Sequence, residues 1–198
     1  NNEKSMEMQS NLVKLSFKRM VLGIKELHRL VKEQNLVANL SERELENPEG
    51  AGFDLRVGEL YEVSGQGFLG VTERETPEMR LVATYEAGKA AKVSLKPHTY
   101  YLLKTLEDVN MPENLLAIMT PRSTLFRSGV YVFGGQVPPG YQGGLNMGIY
   151  NYRNTDFRLE MGSRVVHIMF FEVKGEGNMY RGQWQGGRVT TEQKETQV

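Results

Sequence analysis

A stretch near the middle of the chain, residues 119–129, reads Met-Thr-Pro-Arg-Ser-Thr-Leu-Phe-Arg-Ser-Gly. Two short apolar runs flank it, at 115–121 and 130–137, and such runs bounded by turn residues are typical of strands. Pro121 fixes the start of the turn between them. The stretch therefore predicts a strand, a tight turn and a second strand.

The turn carries two guanidiniums and two hydroxyls. Ser123 or Thr124 is expected to cap one helical turn whose free backbone N–H groups face an anion. Arg122 and Arg127 add bidentate donors suited to phosphate. The pattern predicts a polyphosphate grip, and the alternative is a surface turn with two solvated arginines.

The same alternation of short apolar runs with Gly, Pro and Asn continues along most of the chain after residue 50. It predicts strands at 53–63, 80–86, 91–95, 100–105, 115–121, 130–137, 145–150, 156–159 and 164–173. Many short strands favour a sandwich or barrel. One amphipathic helix is predicted ahead of them, at 22–37, where apolar residues recur at helical spacing.

Composition narrows the possible functions. With 198 residues, 39% of them hydrophobic, the chain fits one domain, predicted at 20–173. A formal net charge of zero disfavours nucleic acid and anionic membranes as partners, and no run of about 20 apolar residues predicts a membrane span. The absence of cysteine is compatible with a cytoplasmic protein. Residues 1–19 are expected to be a tail outside the fold, and 174–198 a mobile, glycine-rich arm.

Two further patterns in the sequence do not indicate a binding site. Residues 65–70 fit the glycine pattern of dinucleotide-binding folds, but no helix follows them, so a hairpin turn is predicted. The three histidines, His28, His98 and His167, lie far apart, so no metal held by the protein alone is expected. His167 is predicted to be a partly buried, hydrogen-bonded histidine.

Four separated motifs resemble one family. They are Gly-Ala-Gly-Phe-Asp-Leu-Arg-Val-Gly at 50–58, the stretch at 119–129, Val-Pro-Pro-Gly-Tyr-Gln-Gly-Gly at 137–144, and Tyr-Arg-Gly-Gln-Trp-Gln-Gly-Gly at 180–187. In order and spacing they resemble the trimeric dUTPase and dCTP deaminase superfamily, particularly its archaeal-type branches. The resemblance implies a mainly β fold, a distorted jelly-roll of β-clip type, assembled as a homotrimer with sites between subunits.

The resemblance also implies a ligand and its contacts. The ligand would be a deoxynucleoside triphosphate, preferably a pyrimidine, carrying its own Mg²⁺, with the arm 174–198 closing over it. Tyr141 would pack under the deoxyribose and exclude a 2′-hydroxyl. The base would be read by the backbone at Gly143, Leu145 and Met147. Phosphate contacts are implied for Arg122, Ser123, Thr124, Arg127, Tyr180, Arg181 and Gln185, with Trp184 as a packing anchor of the arm.

The carboxylates that both reactions of the superfamily require are missing at the matching positions. Pro138 stands where dUTPases carry the water-activating aspartate, and Gly148 stands where dCTP deaminases carry a glutamate. Neither can accept a proton. The remaining candidates for positioning a catalytic water are Asp54, in the first motif, Gln136, and a carboxylate from a neighbouring subunit.

Three hypotheses follow. The first is hydrolysis of dUTP to dUMP and pyrophosphate, with a recruited group that activates or positions the water. The second is a catalytically silent homologue that binds a nucleotide and acts as a regulator or sensor. The third is a dCTP deaminase with displaced catalytic residues, which Gly148 opposes.

Overall fold

The computed structural model describes residues 21–175 and 177–197. The tail predicted at 1–19 lies outside the described residues. In the part of the chain that is described, no helix combines the length and the apolar surface needed to cross a membrane.

The predicted amphipathic helix is present but shorter than expected. Helix α1 spans Ile24–Gln34 and ends at Asn35, which adopts a left-handed conformation with φ 53° and closes the last turn with its backbone N–H. An αL residue at this position terminates a helix, so the chain leaves it before 37. Val37 instead begins β1 (Val37–Ala38), and a short helix α2 (Glu42–Glu46), which was not predicted, follows.

Nearly all remaining regular structure is strand. In chain order the other elements are β2 (Phe53–Ser64), β3 (Phe68–Leu69), β4 (Glu73–Glu75), β5 (Glu78–Thr84), β6 (Lys92–Leu95), β7 (Tyr100–Asn110), β8 (Leu115–Pro121), α3 (Ser123–Arg127), β9 (Val130–Phe133), β10 (Gln136–Val137), β11 (Gln142–Asn151), β12 (Phe157–Glu160), β13 (Arg164–Glu172), a 3₁₀ turn (Gln185–Gly187) and β14 (Glu195–Thr196). The mainly β prediction is confirmed.

Within the described residues, nine strands form one curled antiparallel sheet. Its main path runs β10-β8-β13-β2-β7-β11-β9, while β5 pairs with β2 and β1 with β7. Along β7 every second residue from Tyr101 to Val109 is buried, because alternate side chains of a strand point to one face. This face contributes to a single core that also takes in Leu27 and Leu30 of α1.

Two local predictions are refined. The run at 130–137 is two strands, because the chain breaks at Gly134-Gly135: β9 pairs with β11, whereas β10 pairs with β8. The glycine pattern at 65–70 leads into the β3–β4 hairpin, as expected, with the Gly70 N–H bonded to the Glu73 carbonyl at 2.9 Å.

The C-terminal arm packs against the sheet and is partly regular. The 3₁₀ turn contacts β11, and β14 pairs with β4, which the composition did not predict. The Thr190 and Thr191 hydroxyls bond with Thr76 at 2.8 and 3.1 Å. Mobility of this segment remains a prediction.

Candidate functional site

One cavity of about 600 Å³ lies between β7, the turn before β11 and the C-terminal arm, and we call it the tyrosine cavity. Its walls are mostly apolar and aromatic. Besides Tyr100, Tyr141 and Tyr180, the lining consists of Val63, Thr76, Pro77, Met79, Leu102, Met119, Gly135, Gln136, Val137, Pro138, Leu145, Asn146, Trp184, Arg188 and Val189. Among these described lining residues there is no aspartate, glutamate or histidine.

Tyr141, the candidate sugar contact, forms part of this wall. Its ring is 6% exposed and meets the Tyr180 ring edge-on, with 5.4 Å between the centroids. Its hydroxyl donates to the Gly144 carbonyl at 2.6 Å. Burial, reinforced by the neighbouring Tyr180, raises the pKa of Tyr141 to about 12, so the phenol is protonated at neutral pH.

The arm crosses the backbone that was predicted to read the base. Gly143 has φ +117°, and a Cβ there would lie 2.6 Å from the backbone carbon of Gly186, so only glycine permits this approach. Of the other candidates for base contact, Leu145 lines the tyrosine cavity, whereas Met147 is buried opposite Leu103.

The candidate phosphate contacts on the arm differ in their surroundings. The Gln185 side chain donates to the Gly140 carbonyl at 3.0 Å and accepts from the Gln142 N–H at 3.2 Å, so it fastens the arm to the turn before β11. Tyr180 accepts a hydrogen bond from the Trp184 N–H through its hydroxyl. Arg181 is exposed.

Position 148 is filled by a neighbouring phenol. A Cβ built on Gly148 would lie 2.4 Å from the Tyr100 hydroxyl. Burial raises the pKa of Tyr100, so this group is also protonated at neutral pH. Any side chain at 148 would have to displace the Tyr100 ring.

A second cavity, of about 500 Å³, lies at the N-terminal end of α3, and we call it the arginine cavity. Arg122, Arg158 and Arg164 line it together with Thr124 and Glu160. It shares no lining residue with the tyrosine cavity. Within one chain, therefore, Arg122 and Thr124 of the turn line a different cavity from Tyr141, the candidate sugar contact, while Ser123 and Arg127 line neither.

Asp54 is the centre of a buried ion network. Its Oδ1 accepts from His167 Nδ1 at 2.9 Å, and its Oδ2 accepts from Arg164 at 2.9 Å and from Arg122. Burial alone would raise the pKa of Asp54, but the bonds from His167 and Arg122 outweigh it and hold the pKa at about 2. The carboxylate is fully buried, and both of its oxygens are engaged.

This network corrects the catalytic expectation for Asp54. The predicted role was to organise metal and water near the phosphates, but the carboxylate is fully buried and both of its oxygens accept hydrogen bonds from side chains of this chain. It also lies three strands from Gln136, a separation of roughly 14 Å at ordinary strand spacing, so the two candidates do not act on one water within a chain. The expectation for His167 is confirmed.

The geometry of the turn also differs from its prediction. Arg122, not Ser123 or Thr124, occupies the N-cap of α3, and no side chain caps the helix. Arg122 is paired with Asp54, while Arg127 is exposed at the other end of α3. Five residues along a helix correspond to a rotation of about 140°. The two guanidiniums therefore do not converge on one point within a single chain.

No cluster of three or more His, Asp or Glu side chains suited to a metal ion occurs among the described residues. Because Asp54 is fully engaged, the first motif offers no free ligand either. Magnesium carried by a nucleotide remains a prediction.

Comparisons with known proteins define the class. Residues 21–173 match the family model described as dCTP deaminase-like. The dCTP deaminase of Pyrococcus furiosus is 32% identical over 157 residues, which are 79% of this chain and 88% of that protein. A probable deoxyuridine 5′-triphosphate nucleotidohydrolase of Methanopyrus kandleri is 30% identical over 135 residues, covering 68% of this chain and 84% of that protein.

A solved structure agrees at the level of the fold. The 2′-deoxycytidine 5′-triphosphate deaminase from Agrobacterium tumefaciens superposes with a TM-score of 0.60 at 17% identity. The match covers 77% of this chain but 46% of that protein, so this chain spans less than half of its length.

Fold and relatives define a protein of the dUTPase and dCTP deaminase superfamily, as the four motifs predicted. Within it, the chain belongs to the dCTP deaminase-like family. Because the relatives carry the names of two different enzymes, membership does not by itself fix the reaction.

Several residues of the site escaped the sequence analysis. Tyr100 and Asn146 reach the tyrosine cavity because β7 and β11 pair in one register, and Arg188 reaches it because the arm folds back. Arg164 joins Asp54 because β13 pairs with β2. These contacts depend on strand pairing across long sequence separations, and none belongs to a local motif.

Proposed function

We propose that this chain binds a pyrimidine deoxynucleoside triphosphate, with base and sugar in the tyrosine cavity, and neither deaminates nor hydrolyses it. The composition of the cavity wall carries the proposal: aromatic rings, apolar side chains, amides, Thr76 and Arg188 line it, without a carboxylate or imidazole among its described residues. Such a wall favours stacking and hydrogen bonding. Both superfamily reactions need a group that takes a proton from attacking water.

The two positions of the expected carboxylates support the same reading. Pro138 lines the cavity and has no group that titrates. At Gly148 the protonated Tyr100 hydroxyl fills the space into which a longer side chain would extend. A protonated phenol donates and accepts hydrogen bonds but is a poor base at neutral pH.

We further propose that the complete site needs more than one subunit. The tyrosine cavity supplies groups for base and sugar, and the arginine cavity supplies cations for phosphates, yet the two share no residue in one chain. A homotrimer in which one subunit's arginine cavity meets another's tyrosine cavity would unite them. A cytoplasmic location likewise stays a prediction.

Hydrolysis of dUTP to dUMP and pyrophosphate is the second candidate function. Gln136 lines the tyrosine cavity, and its amide can orient a water without taking a proton from it. The relationship to a probable dUTP nucleotidohydrolase is compatible with this reaction. In this case Mg²⁺ on the triphosphate would supply the charge stabilisation.

One parallel assay distinguishes the candidates. The full-length protein is incubated with dUTP, dCTP, dTTP and dATP plus Mg²⁺, and binding heat, pyrophosphate and ammonia are measured. Our proposal predicts heat with a pyrimidine nucleotide and no product. Pyrophosphate from dUTP without ammonia selects the second candidate, and ammonia from dCTP contradicts the proposal.

The phosphate contact is tested most cleanly at Arg127. Arg122→Ala also breaks the pair with buried Asp54, so weaker binding there would mix two effects. Arg127 is exposed, and Arg127→Ala should weaken triphosphate affinity about tenfold or more while leaving the melting temperature unchanged. Unchanged affinity would remove Arg127 from the site. Arg80→Ala, at an exposed arginine that lines neither cavity, is the matched control and should leave the affinity unchanged.

A further inference from the structure

Asn146 carries an unpartnered acceptor at the wall of the tyrosine cavity. Its side chain lies on β11 and lines the cavity, and its Nδ2 donates to the Arg188 carbonyl of the arm at 2.8 Å. A carbonyl only accepts hydrogen bonds, so the amide nitrogen must face Arg188. The orientation of the amide is thereby fixed, and Oδ1 points elsewhere.

That oxygen has no hydrogen-bond partner among the described residues, although it is buried. Buried polar atoms are rarely left unpaired, because an unmet acceptor costs about 1–3 kcal/mol. Among the tyrosines of the wall, Tyr141 donates its hydroxyl hydrogen to the Gly144 carbonyl, and neither Tyr100 nor Tyr180 is hydrogen-bonded to Oδ1. No protein group in the cavity wall satisfies Oδ1.

The face of β11 that carries Asn146 combines polar groups with an apolar wall. Asn146 and Gly148 lie two residues apart on β11, opposite Lys104 and Leu102, so they share one face of the strand. The Tyr100 hydroxyl covers Gly148 on this face. An amide oxygen and a protonated phenol, side by side in a mostly apolar wall, suit a neutral ring with polar edges.

We propose that Asn146 Oδ1 accepts a hydrogen bond from an N–H of the bound pyrimidine and so favours rings that carry such a donor. The inference rests on the proposed nucleotide binding. Uracil offers its N3–H and cytosine its amino group, whereas a ring without such a donor leaves Oδ1 unpaired. Because the Arg188 carbonyl fixes the amide, this selection operates when the arm is closed over the site.

The test compares three probes on the full-length protein by calorimetry. They are dUTP, dUTP methylated at N3, which lacks the ring donor, and inorganic tripolyphosphate, which lacks the ring. The wild type should bind N3-methyl-dUTP about 10- to 100-fold more weakly than dUTP, since 1–3 kcal/mol corresponds to such a factor. Asn146→Leu keeps most of the side-chain volume but removes the acceptor. It should weaken dUTP binding about tenfold or more and leave tripolyphosphate affinity unchanged.

Each outcome bears on one claim. If Asn146→Leu changes dUTP affinity less than twofold, the inference is overturned while nucleotide binding stands. Equal weakening of dUTP and tripolyphosphate also overturns it, because the variant would then have disturbed the arm and not base selection. If the wild type binds tripolyphosphate but neither dUTP nor dCTP, the proposed function itself fails. Asn154→Leu, at an exposed asparagine that lines neither cavity, is the matched control and should leave all three affinities unchanged.

Discussion

Replacing Asp54 by asparagine should destabilise the fold in a way that depends on pH. The folded-state pKa of Asp54 is about 2, against an ordinary value of 3.8. The difference of about 1.8 corresponds to about 2.5 kcal/mol, at about 1.36 kcal/mol for each pKa unit. This stabilisation is fully present above pH 4 and is lost as the pH falls through about 2.

Asparagine also leaves its cationic neighbours without a counter-charge. Its amide nitrogen would face either His167 or the guanidiniums of Arg122 and Arg164, so one donor would oppose another. Removing one partner from a buried ion network costs about 3–5 kcal/mol. We therefore expect Asp54→Asn to lower the free energy of unfolding at pH 7 by about 2.5–5 kcal/mol.

The measurement is urea unfolding of both proteins at one protein concentration, between pH 7 and pH 2. The difference between wild type and Asp54→Asn should shrink by about 1.8 kcal/mol between pH 4 and pH 2, since other carboxylates cancel in the difference. Asp156→Asn, which breaks an exposed pair with Lys96, is the control and should cost less than about 1 kcal/mol. A difference that stays constant with pH would refute the assignment of a depressed pKa to Asp54.

Three further predictions concern other contacts. Gly148→Ala should destabilise the protein by about 1 kcal/mol because its methyl group would clash with Tyr100. In urea unfolding, a double-mutant cycle with Tyr100→Ala should show that the two changes are coupled. Additive effects would contradict the contact. Trp184→Ala removes the ring that lies 4.5 Å from the Arg74 guanidinium, and this cation–π contact stabilises the arm by about 1–2 kcal/mol. Trypsin should therefore cut the arm faster in Trp184→Ala, and Trp184→Phe, which keeps an aromatic ring, should resist cleavage. Burial raises the pKa of Glu107, although the hydrogen bonds with Arg56 oppose this rise. In urea titrations the stability of the wild type relative to Glu107→Gln should therefore fall as the pH rises above 4.5. The reverse trend would exclude the raised pKa.

The sequence predicted those features of the site that depend on neighbouring residues in the chain. Tyr141 lies in a glycine-rich turn whose chemistry is read from adjacent residues, and it does form a cavity wall. Asp54 was also found in a local motif, but its partners arrive from β8 and β13, and they convert an expected catalytic carboxylate into a buried structural one. Partners that come from other strands determine whether a side chain is free.

By itself, the sequence determined the strand-rich fold, the amphipathic helix, the family motifs and the loss of carboxylates at Pro138 and Gly148, because these depend on residue type and short-range periodicity. Only the tertiary structure decided that Arg122 and Tyr141 line different cavities, that Tyr100 fills the space at Gly148, and that the arm fixes the Asn146 amide. Strand register and the path of the arm set these contacts, and both result from packing between residues far apart in the chain.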